Sequence, residues 1–387
     1  MKYVRAFFKN NGVQSLLSSI LCVIIGVLLG YVALLIINAE GAWEAITHVM
    51  MNFFTWPEDG PFRLRYFAQT VVYTVPLLMC SLSILFSYKV GLFNIGASGQ
   101  YMAGAGIAIY AAIAWQMPWY VCLLLAVAAG AVIGAISGAL KAYCNVNEVI
   151  SGIMLNWIIL YSVNMLLSSD ITKSPTAETY HILHKNPDAM LPTLGLEELV
   201  GGYQYFTISV PIAILVAIAV SIILSKTKFG YELKATGNNK NAAKYCGMRE
   251  KRNIIVTLCI SGALAGLGAA LFYLTDIKQW EVNASSVNAM GFNGIAAAFL
   301  GCLDPIGAII ASFFIQHITF GGGYIDLSVY SSQISSLISS IIIYLCGFVL
   351  FFKYCVNHLI DRSEERKKKR EEAALAAEEN EVGGDEK

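Results

Sequence analysis

Residues that could carry out covalent or metal chemistry are few in this sequence of 387 residues. A phosphate-binding loop of the G-x-x-x-x-G-K-[ST] type needs the dipeptide Gly-Lys, which does not occur in the chain. His181 and His184 have the His-x-x-His spacing of a metal pair, but no third ligand accompanies them. The sequence therefore predicts neither an enzyme nor a cofactor held by this chain.

Charge and cysteine content exclude further classes of protein. The 26 basic and 26 acidic residues give a net charge of zero, so the chain lacks the basic face with which proteins hold nucleic acid. The nine cysteines show no C-x-x-C spacing. We expect them to be small buried apolar residues, not zinc ligands or disulfide partners.

Hydrogen bonding by uncharged amides is the chemistry that remains. Among the amides in or beside long apolar segments, five are candidates for a substrate path: Asn94, Gln100, Asn147, Asn156 and Asn293. An amide that faces lipid is costly, so we expect all five to face the protein interior. Two interpretations stay open for each: hydrogen bonds between helices, or the lining of a path for an uncharged, hydroxyl-rich solute. Asn94, Gln100 and Asn293 are the strongest candidates for a path, because they lie beside glycines at which a helix could break.

The elements that must position these amides are apolar helices. Hydrophobic residues make up 57% of the chain and charged residues 13%, whereas a soluble domain carries about 25% charged residues. A helix needs about 20 apolar residues to cross a bilayer. Ten uncharged runs are candidates: 15–37, 66–87, 93–113, 119–139, 149–167, 206–224, 254–274, 291–302, 306–320 and 329–352. The eighth and ninth are short, so full crossings and a re-entrant pair both stay open. The sequence predicts an all-α polytopic membrane protein with about ten transmembrane helices.

Lysine and arginine collect in alternate connections, which orients the chain because cytoplasmic segments retain positive charge. With both termini in the cytoplasm, 21 of the 26 basic residues lie on the cytoplasmic side. Most of these fall within residues 226–252 and within the charged end of the chain. We therefore predict cytoplasmic termini, a transmembrane domain over residues 1–352 and a cytoplasmic tail over residues 353–387.

No Asp, Glu, Lys or Arg lies in the middle of any of the ten runs. Carriers driven by an ion gradient usually need such a group, because a charge inside the membrane costs about 2.5–3.5 kcal/mol and is kept only for a function. An ion-coupled secondary carrier of a neutral polar solute is therefore the alternative interpretation. The energy for transport is expected to come from another subunit.

The longest connection on the predicted cytoplasmic side, apart from the tail, is residues 226–252. The Gly-Asn-Asn sequence at 237–239 is a turn and helix-start signal, and residues 240–246 are predicted as a short helix that Gly247 ends. A helix this short is not stable by itself. It needs a surface to dock against.

Residues 230–248, GYELKATGNNKNAAKYCGM, resemble the cytoplasmic loop of ABC importer permeases in the branch that carries simple sugars, nucleosides and branched-chain amino acids. Three other stretches agree: FNIGASGQ at 93–100, NEVISGIMLN at 147–156 and GFNGIAAAFLG at 291–301. The first two of these point most toward the nucleoside and simple-sugar subgroup. One position departs from the pattern, because Ser98 stands where the family usually has Glu.

The resemblance implies a permease subunit of an ATP-driven importer in the bacterial cell membrane, without an ATPase site of its own. ATP and Mg²⁺ are then bound by a partner ATPase subunit, whose groove receives the short helix of the 226–252 loop. The residues implied to couple the two subunits are Gly237, Asn239, Lys240, Ala242, Ala243, Lys244 and Gly247. The other implied partners are a second permease subunit and an extracellular solute-binding lipoprotein, which docks on the acidic outer loops 38–65 and 170–204.

Overall fold

A computed structural model describes residues 11–54 and 60–323, together with Tyr330 and parts of 337–362. The first ten residues with Lys2, Arg5 and Lys9, much of the tenth predicted span, and the tail beyond residue 362 lie outside the described residues. The helices in chain order are α1 (Asn11–Ile37), α2 (Ala42–Met51), α3 (Gly60–Tyr88), α4 (Ala97–Ile113), α5 (Trp119–Cys144), α6 (Glu148–Leu167), α7 (Ile182–Lys185), α8 (Ser209–Lys226), α9 (Lys228–Asn238), α10 (Lys240–Tyr245), α11 (Glu250–Tyr273), α12 (Met290–Leu300) and α13 (Pro305–Gly322).

The predicted all-α membrane fold is confirmed. Two isolated β-bridges are the only extended pairing among the described residues. Seven helices in this part of the chain are long and apolar enough to cross a membrane, namely α1, α3, α5, α6, α8, α11 and α13. Helix α4 has 17 residues, at the lower limit for a crossing, and α12 has 11, which is less than a straight crossing needs. The count of ten spans stays a prediction.

Large apolar side chains lie exposed along the outside of the helix bundle. On α6 the exposed residues include Met154, Trp157, Tyr161 and Met165, and α1 and α8 show similar faces. A continuous apolar surface of this kind is a liability in water. It is suited to contact with the hydrocarbon of a bilayer.

Helix α11 lies at the centre of the bundle and packs on α5 at backbone contact distance. A Cβ atom added to Gly130 would collide with the carbonyl oxygen of Gly262, and one added to Gly134 would collide with that of Leu258. Gly104 of α4 lies just as closely against Gly266. Small residues spaced four apart allow two helix backbones to approach in this way. The glycines therefore fix α4, α5 and α11 as one packed unit.

Helices α12 and α13 form a hairpin with a tight turn. Gly301 lies against Gly307 with no room for a side chain, and Cys302 and Leu303 in the turn have φ of +55° and +57°. The Asp304 carboxylate then accepts hydrogen bonds from the N–H groups at the start of α13, at 3.0 Å each. An aspartate cap followed by proline is a strong helix start, so the hairpin is encoded locally.

The structure adds to one expectation from the sequence and corrects another. Residues 38–65, predicted as an outer connection, contain helix α2, whose residue Val49 packs against Gly321 of α13, and their position outside the membrane stays a prediction. Cys144 and Cys246 are exposed, so the expected burial of all cysteines is wrong for these two. They lie where the chain leaves the packed helices, at the end of α5 and just after α10.

Candidate coupling surface, polar centre and outer cleft

The connection between α8 and α11 folds as two consecutive helices, α9 and α10. Asn239 Oδ1 accepts a hydrogen bond from the N–H group of Ala242 at 3.0 Å, which caps α10. Gly247 follows α10 with φ of +81°, a conformation that glycine adopts without strain. The short helix predicted over 240–246 is confirmed as Lys240–Tyr245. The turn predicted from residue 237 is misplaced, because α9 continues to Asn238 and the break falls at Asn239.

The inner side of this connection, which we define as Leu233, Thr236, Gly237 and Ala243, is packed against the rest of the protein. Gly237 lies so close to the turn after α3 that a Cβ atom there would be 2.7 Å from the carbonyl oxygen of Lys89. The Thr236 hydroxyl accepts a hydrogen bond from Asn253 Nδ2 of α11 at 2.9 Å. Leu233, Thr236 and Ala243 are buried. The two helices are therefore seated on the turn after α3 and on α11.

The outer side of the same connection is exposed. We define it as Asn239, Lys240, Ala242, Lys244, Tyr245 and Gly247, of which Tyr245 is 94% exposed. A Cβ atom built on Gly247 would have nothing within 4 Å beyond its own chain neighbours. The outer side thus presents two lysines and a tyrosine on a helix of six residues, which by its length alone is not stable.

A buried polar centre begins at Asn94, three residues after Gly91 in the turn against which Gly237 packs. Asn94 Nδ2 donates hydrogen bonds to Gln100 Oε1 at 2.8 Å and to Ser261 Oγ at 2.7 Å. The Ser261 hydroxyl donates to the carbonyl oxygen of Ser83 at 2.7 Å. All four residues are at most 4% exposed. The centre joins α3, α4 and α11, so in this structure Asn94 and Gln100 make hydrogen bonds that hold helices together. A role of these two amides in a solute path stays a prediction.

Asn156 and Asn147 both hold helix starts. Asn156 Oδ1 accepts from the N–H group of Gly99 at 2.7 Å, and its Nδ2 donates to the carbonyl oxygen of Ile95 at 3.1 Å. These bonds stabilise the non-helical stretch before α4, which is why α4 begins at Ala97 and not at residue 93 as predicted. Asn147 is exposed, and its Oδ1 caps α6. The interior position expected for Asn147 is therefore wrong.

Asn293 and Ser98 lie where α12 crosses the start of α4. Asn293 is half-buried, and its amide has no hydrogen-bond partner among the described residues. Ser98 is fully buried, its hydroxyl has no partner in this part of the chain, and Gly291 packs directly on it. A glutamate at residue 98 would need space that Gly291 occupies. The departure from the expected Glu is thus matched by close helix packing.

An outer cleft of about 420 Å³ lies between the start of α3 and the segment that precedes α8. It is lined by Phe62, Arg65, Tyr66, Gln69, Gly202, Tyr203, Gln204 and Tyr205. Arg65 Nε donates a hydrogen bond to the carbonyl oxygen of Gly201 at 2.8 Å, and the guanidinium lies 5.8 Å from the centre of the Phe62 ring. Sequence reasoning missed this cleft. Its one signal was the alternation of aromatic and amide residues at 203–205.

His181 belongs to a contact that holds the loop between α6 and α8. The Asp276 carboxylate accepts hydrogen bonds from the N–H groups of Ile182 at 3.1 Å and Leu183 at 3.3 Å, and His181 Nδ1 lies 3.1 Å from Asp276 Oδ2. The His184 ring stands beside the His181 ring, with centroids 5.7 Å apart. The described residues contain no group of three His, Cys, Asp or Glu side chains placed to hold a metal ion.

Comparison with known proteins places this arrangement among transport subunits. Residues 66–347 match the family described as the permease component of branched-chain amino acid transport systems. The guanosine ABC transporter permease protein NupP of Bacillus subtilis is 31% identical over 293 residues, which cover 74% of this chain and 81% of the relative.

Two further relatives extend the range of solutes. The nucleoside ABC transporter permease protein NupB of Lactococcus lactis is 30% identical, over 78% of this chain and 82% of its own. The glucose ABC transporter permease protein TsgB13 of Haloferax volcanii is 26% identical, over 76% of this chain and 79% of its own. No solved structure matches the chain.

Proposed function

This chain belongs to the family of permease components of branched-chain amino acid transport systems, and on that premise we propose which solute it carries and how it is driven. It is a multi-pass protein of the plasma membrane and the permease subunit of an ABC importer. The solute that we propose is a nucleoside or a simple sugar. The support is that similar permeases are named for guanosine, nucleosides and glucose.

The observation that carries the proposed coupling to ATP is the exposed outer side of α10 above a packed inner side. We propose that Asn239, Lys240, Ala242, Lys244 and Gly247 contact a partner ATPase subunit, which binds ATP and Mg²⁺. Gly237 and Ala243, the other two residues of the predicted coupling set, hold α10 on the bundle instead. Ala243 is 3% exposed, and Gly237, which is half-buried, is pressed against the turn after α3, so both already pack on this chain while the segment is seated.

Motion of α10 has a short route into the membrane domain. Gly237 touches the turn at Lys89 and Gly91, and three residues later Asn94 enters the buried polar centre. We propose that displacement of α10 shifts this turn and opens the hydrogen bonds of the centre. Amides freed in this way, together with Asn293, then line the path of the solute. The side-chain oxygens of Asn147 and Asn156, the other predicted path residues, accept hydrogen bonds from N–H groups at the starts of α6 and α4.

The proposed topology has ten spans with both termini in the cytoplasm, a membrane domain over residues 1–352 and a tail over 353–387. Contacts that gather basic residues at one end of the molecule support it. Lys141 Nζ lies 2.7 Å from Glu148 Oε2, and Lys251 Nζ lies 5.1 Å from the centre of the Tyr143 ring. At Lys89, burial and then the nearby Lys234 lower the pKa of the ammonium group. We propose that this end faces the cytoplasm.

The importer that we propose also contains a second permease subunit and an extracellular solute-binding lipoprotein. The lipoprotein is proposed to dock on the loops 38–65 and 170–204. In the described part of the second loop, the Asp276 carboxylate fixes the backbone at Ile182 and Leu183, which gives a partner an ordered surface. No covalent change of the solute is proposed.

Uptake into proteoliposomes tests the proposed function. Vesicles that contain this chain with its ATPase and second permease subunits, and with the binding protein outside, are expected to take up guanosine or a simple sugar only when the ATPase subunits are supplied with ATP. Vesicles with this chain alone are expected to take up neither. Uptake by the chain alone under a proton or sodium gradient would contradict the proposal and favour the ion-coupled carrier.

A further inference from the structure

The outer cleft, between the start of α3 and the segment that precedes α8, has a mostly aromatic and polar lining. Of the eight described residues that line it, four are aromatic, two are glutamines and one is an arginine. None of these eight described residues is acidic. The cleft is therefore a poor site for the ammonium group of an amino acid, which needs a carboxylate or several carbonyl oxygens. It is a better site for a flat, uncharged molecule that has hydrogen-bonding groups along its edge.

The arginine in the cleft is held in place by the backbone. Arg65 uses Nε to donate to the carbonyl oxygen of Gly201, so its Nη atoms remain as donors, and the described residues provide no acceptor for them. An arginine fixed in this way can donate two parallel hydrogen bonds to a pair of acceptors on one edge of a ring. The O6 and N7 atoms of guanine are such a pair, and glutamine amides pair similarly with N6 and N7 of adenine.

The aromatic residues supply the matching surface. Tyr203 and Tyr205 have ring centroids 5.4 Å apart at an edge-to-face angle, and Phe62 is half-exposed at the mouth. Bases stack on such rings, and the loss of one ring weakens binding by about 5- to 140-fold. One turn after Gln69 on α3, the Tyr73 ring packs on Phe272 and Phe320, so packed aromatic side chains follow the cleft lining along this helix.

We propose that this cleft binds the base of a purine nucleoside, with the ring stacked on an aromatic side chain of the lining and its acceptor edge on Arg65. The inference rests on the proposed function and narrows it to one class of solute. In the importer, the cleft is the first site that receives the nucleoside after the binding protein releases it. A simple sugar lacks the flat face and the paired acceptors that this lining suits.

Photolabelling of the assembled importer tests the cleft. Proteoliposomes with all subunits are supplied with ATP and binding protein and exposed to 8-azidoguanosine, and the labelled peptides of this chain are identified by mass spectrometry. We expect the label within residues 62–69 or 201–205. Excess guanosine is expected to abolish the labelling and excess ribose to leave it unchanged. A label confined to other segments, or ribose competing as well as guanosine, would overturn the proposal.

Three variants sharpen the result. Tyr203→Ala is expected to reduce both the labelling and the rate of guanosine uptake by about tenfold, because a stacking surface is lost. Arg65→Lys keeps the charge but not the paired donors and is expected to reduce labelling severalfold. Tyr120→Ala is the control, because Tyr120 is exposed on α5 and outside the cleft.

Failure of the cleft and failure of the proposed function are distinguishable. If wild-type importer takes up guanosine with ATP but Tyr203→Ala and Arg65→Lys label and transport as well as the Tyr120→Ala control, the cleft proposal is wrong and the proposed function stands. If wild-type importer transports no nucleoside with ATP, the nucleoside function itself is wrong. Tyr203→Phe, which keeps the ring, is expected to label and transport better than Tyr203→Ala, and guards against a folding defect in the alanine variant.

Discussion

The inner and outer sides of the connection between α8 and α11 differ in packing and in exposure to a partner. On the inner side, Gly237 is pressed against the carbonyl oxygen of Lys89, and Thr236 is hydrogen-bonded to Asn253. On the outer side, Lys240, Lys244 and Tyr245 are exposed, although they lie on the same short helix as buried Ala243. The chain itself explains the inner side. We propose that a second protein, which supplies the energy for transport, covers the outer side.

The largest effect is expected from filling the inner contact. Gly237→Leu would place a side chain into the backbone of the turn after α3, which cannot yield as a flexible side chain would. Overpacking of this kind costs about 1–3 kcal/mol and more where backbone must move. We expect a sharp loss of folded protein, measured as monodisperse yield and as the Tm in detergent. A Tm equal to that of wild type would show that the seat is not as tight as described.

The second largest effect is expected at the polar centre to which the inner side leads. Asn94→Leu removes the donor to Gln100 and Ser261 and leaves buried polar atoms without partners, which costs about 1–3 kcal/mol. We expect a lower Tm and slower ATP-driven uptake. The matched control is Asn147→Ala at an exposed helix cap, where the cost is about 1 kcal/mol and transport should persist. If the two variants slowed transport equally, the polar centre would have no special role in coupling ATP hydrolysis to transport.

A smaller effect is expected at the glycine of the outer side. Gly247 has open space around it but a φ of +81°, so Gly247→Ala adds backbone strain of about 1 kcal/mol without a steric clash. Gly247→Asn should be milder, because asparagine tolerates this conformation better. Thermal unfolding of the three proteins checks the order glycine, asparagine, alanine. If Gly247→Ala were as unstable as Gly237→Leu, the described difference in packing between the two glycines would be wrong.

The smallest effect is expected from the charge of Lys89 beside the inner contact. Burial is the main cause that lowers the pKa of its ammonium group in the folded state, and Lys234 adds to it. The unfolded chain then binds more protons than the folded one between this lowered pKa and the ordinary value of 10.5, so stability from this group rises with pH in that window. We expect the Tm of wild type to rise relative to Lys89→Met between pH 8 and pH 10. A difference between the two Tm values that does not change with pH would contradict this.

Much of the helix architecture could be predicted from the sequence, because long apolar runs report on membrane spans through composition alone. The short helix at 240–245 was predictable too, since Asn239 and Gly247 are local signals for its start and end. Contacts between distant residues were not predictable. The pressing of Gly237 onto Lys89, and the pairing of Asn94 with Ser261, depend on how the helices pack.

Two misplacements show the same limit. Asn147 was expected to face the interior because amides are costly in lipid, yet at the end of a helix an amide is satisfied by capping and can stay exposed. The outer cleft was missed because Arg65 and Tyr203 are far apart in the chain and only the fold brings them together. Single residue types therefore indicated polar chemistry correctly but not where it lies.

The most direct test of the account is the ATP-driven uptake of guanosine by an importer that carries both Lys240→Glu and Lys244→Glu. Both side chains are exposed on α10, so we expect the free energy of unfolding of the isolated chain to stay within about 0.5 kcal/mol of the wild-type value, since surface changes are usually that small. Uptake, and the ATP hydrolysis that it stimulates, are expected to fall at least about tenfold, because charges at an interface are reversed. Uptake at the wild-type rate with an intact fold would contradict the claim that the outer side receives the ATPase.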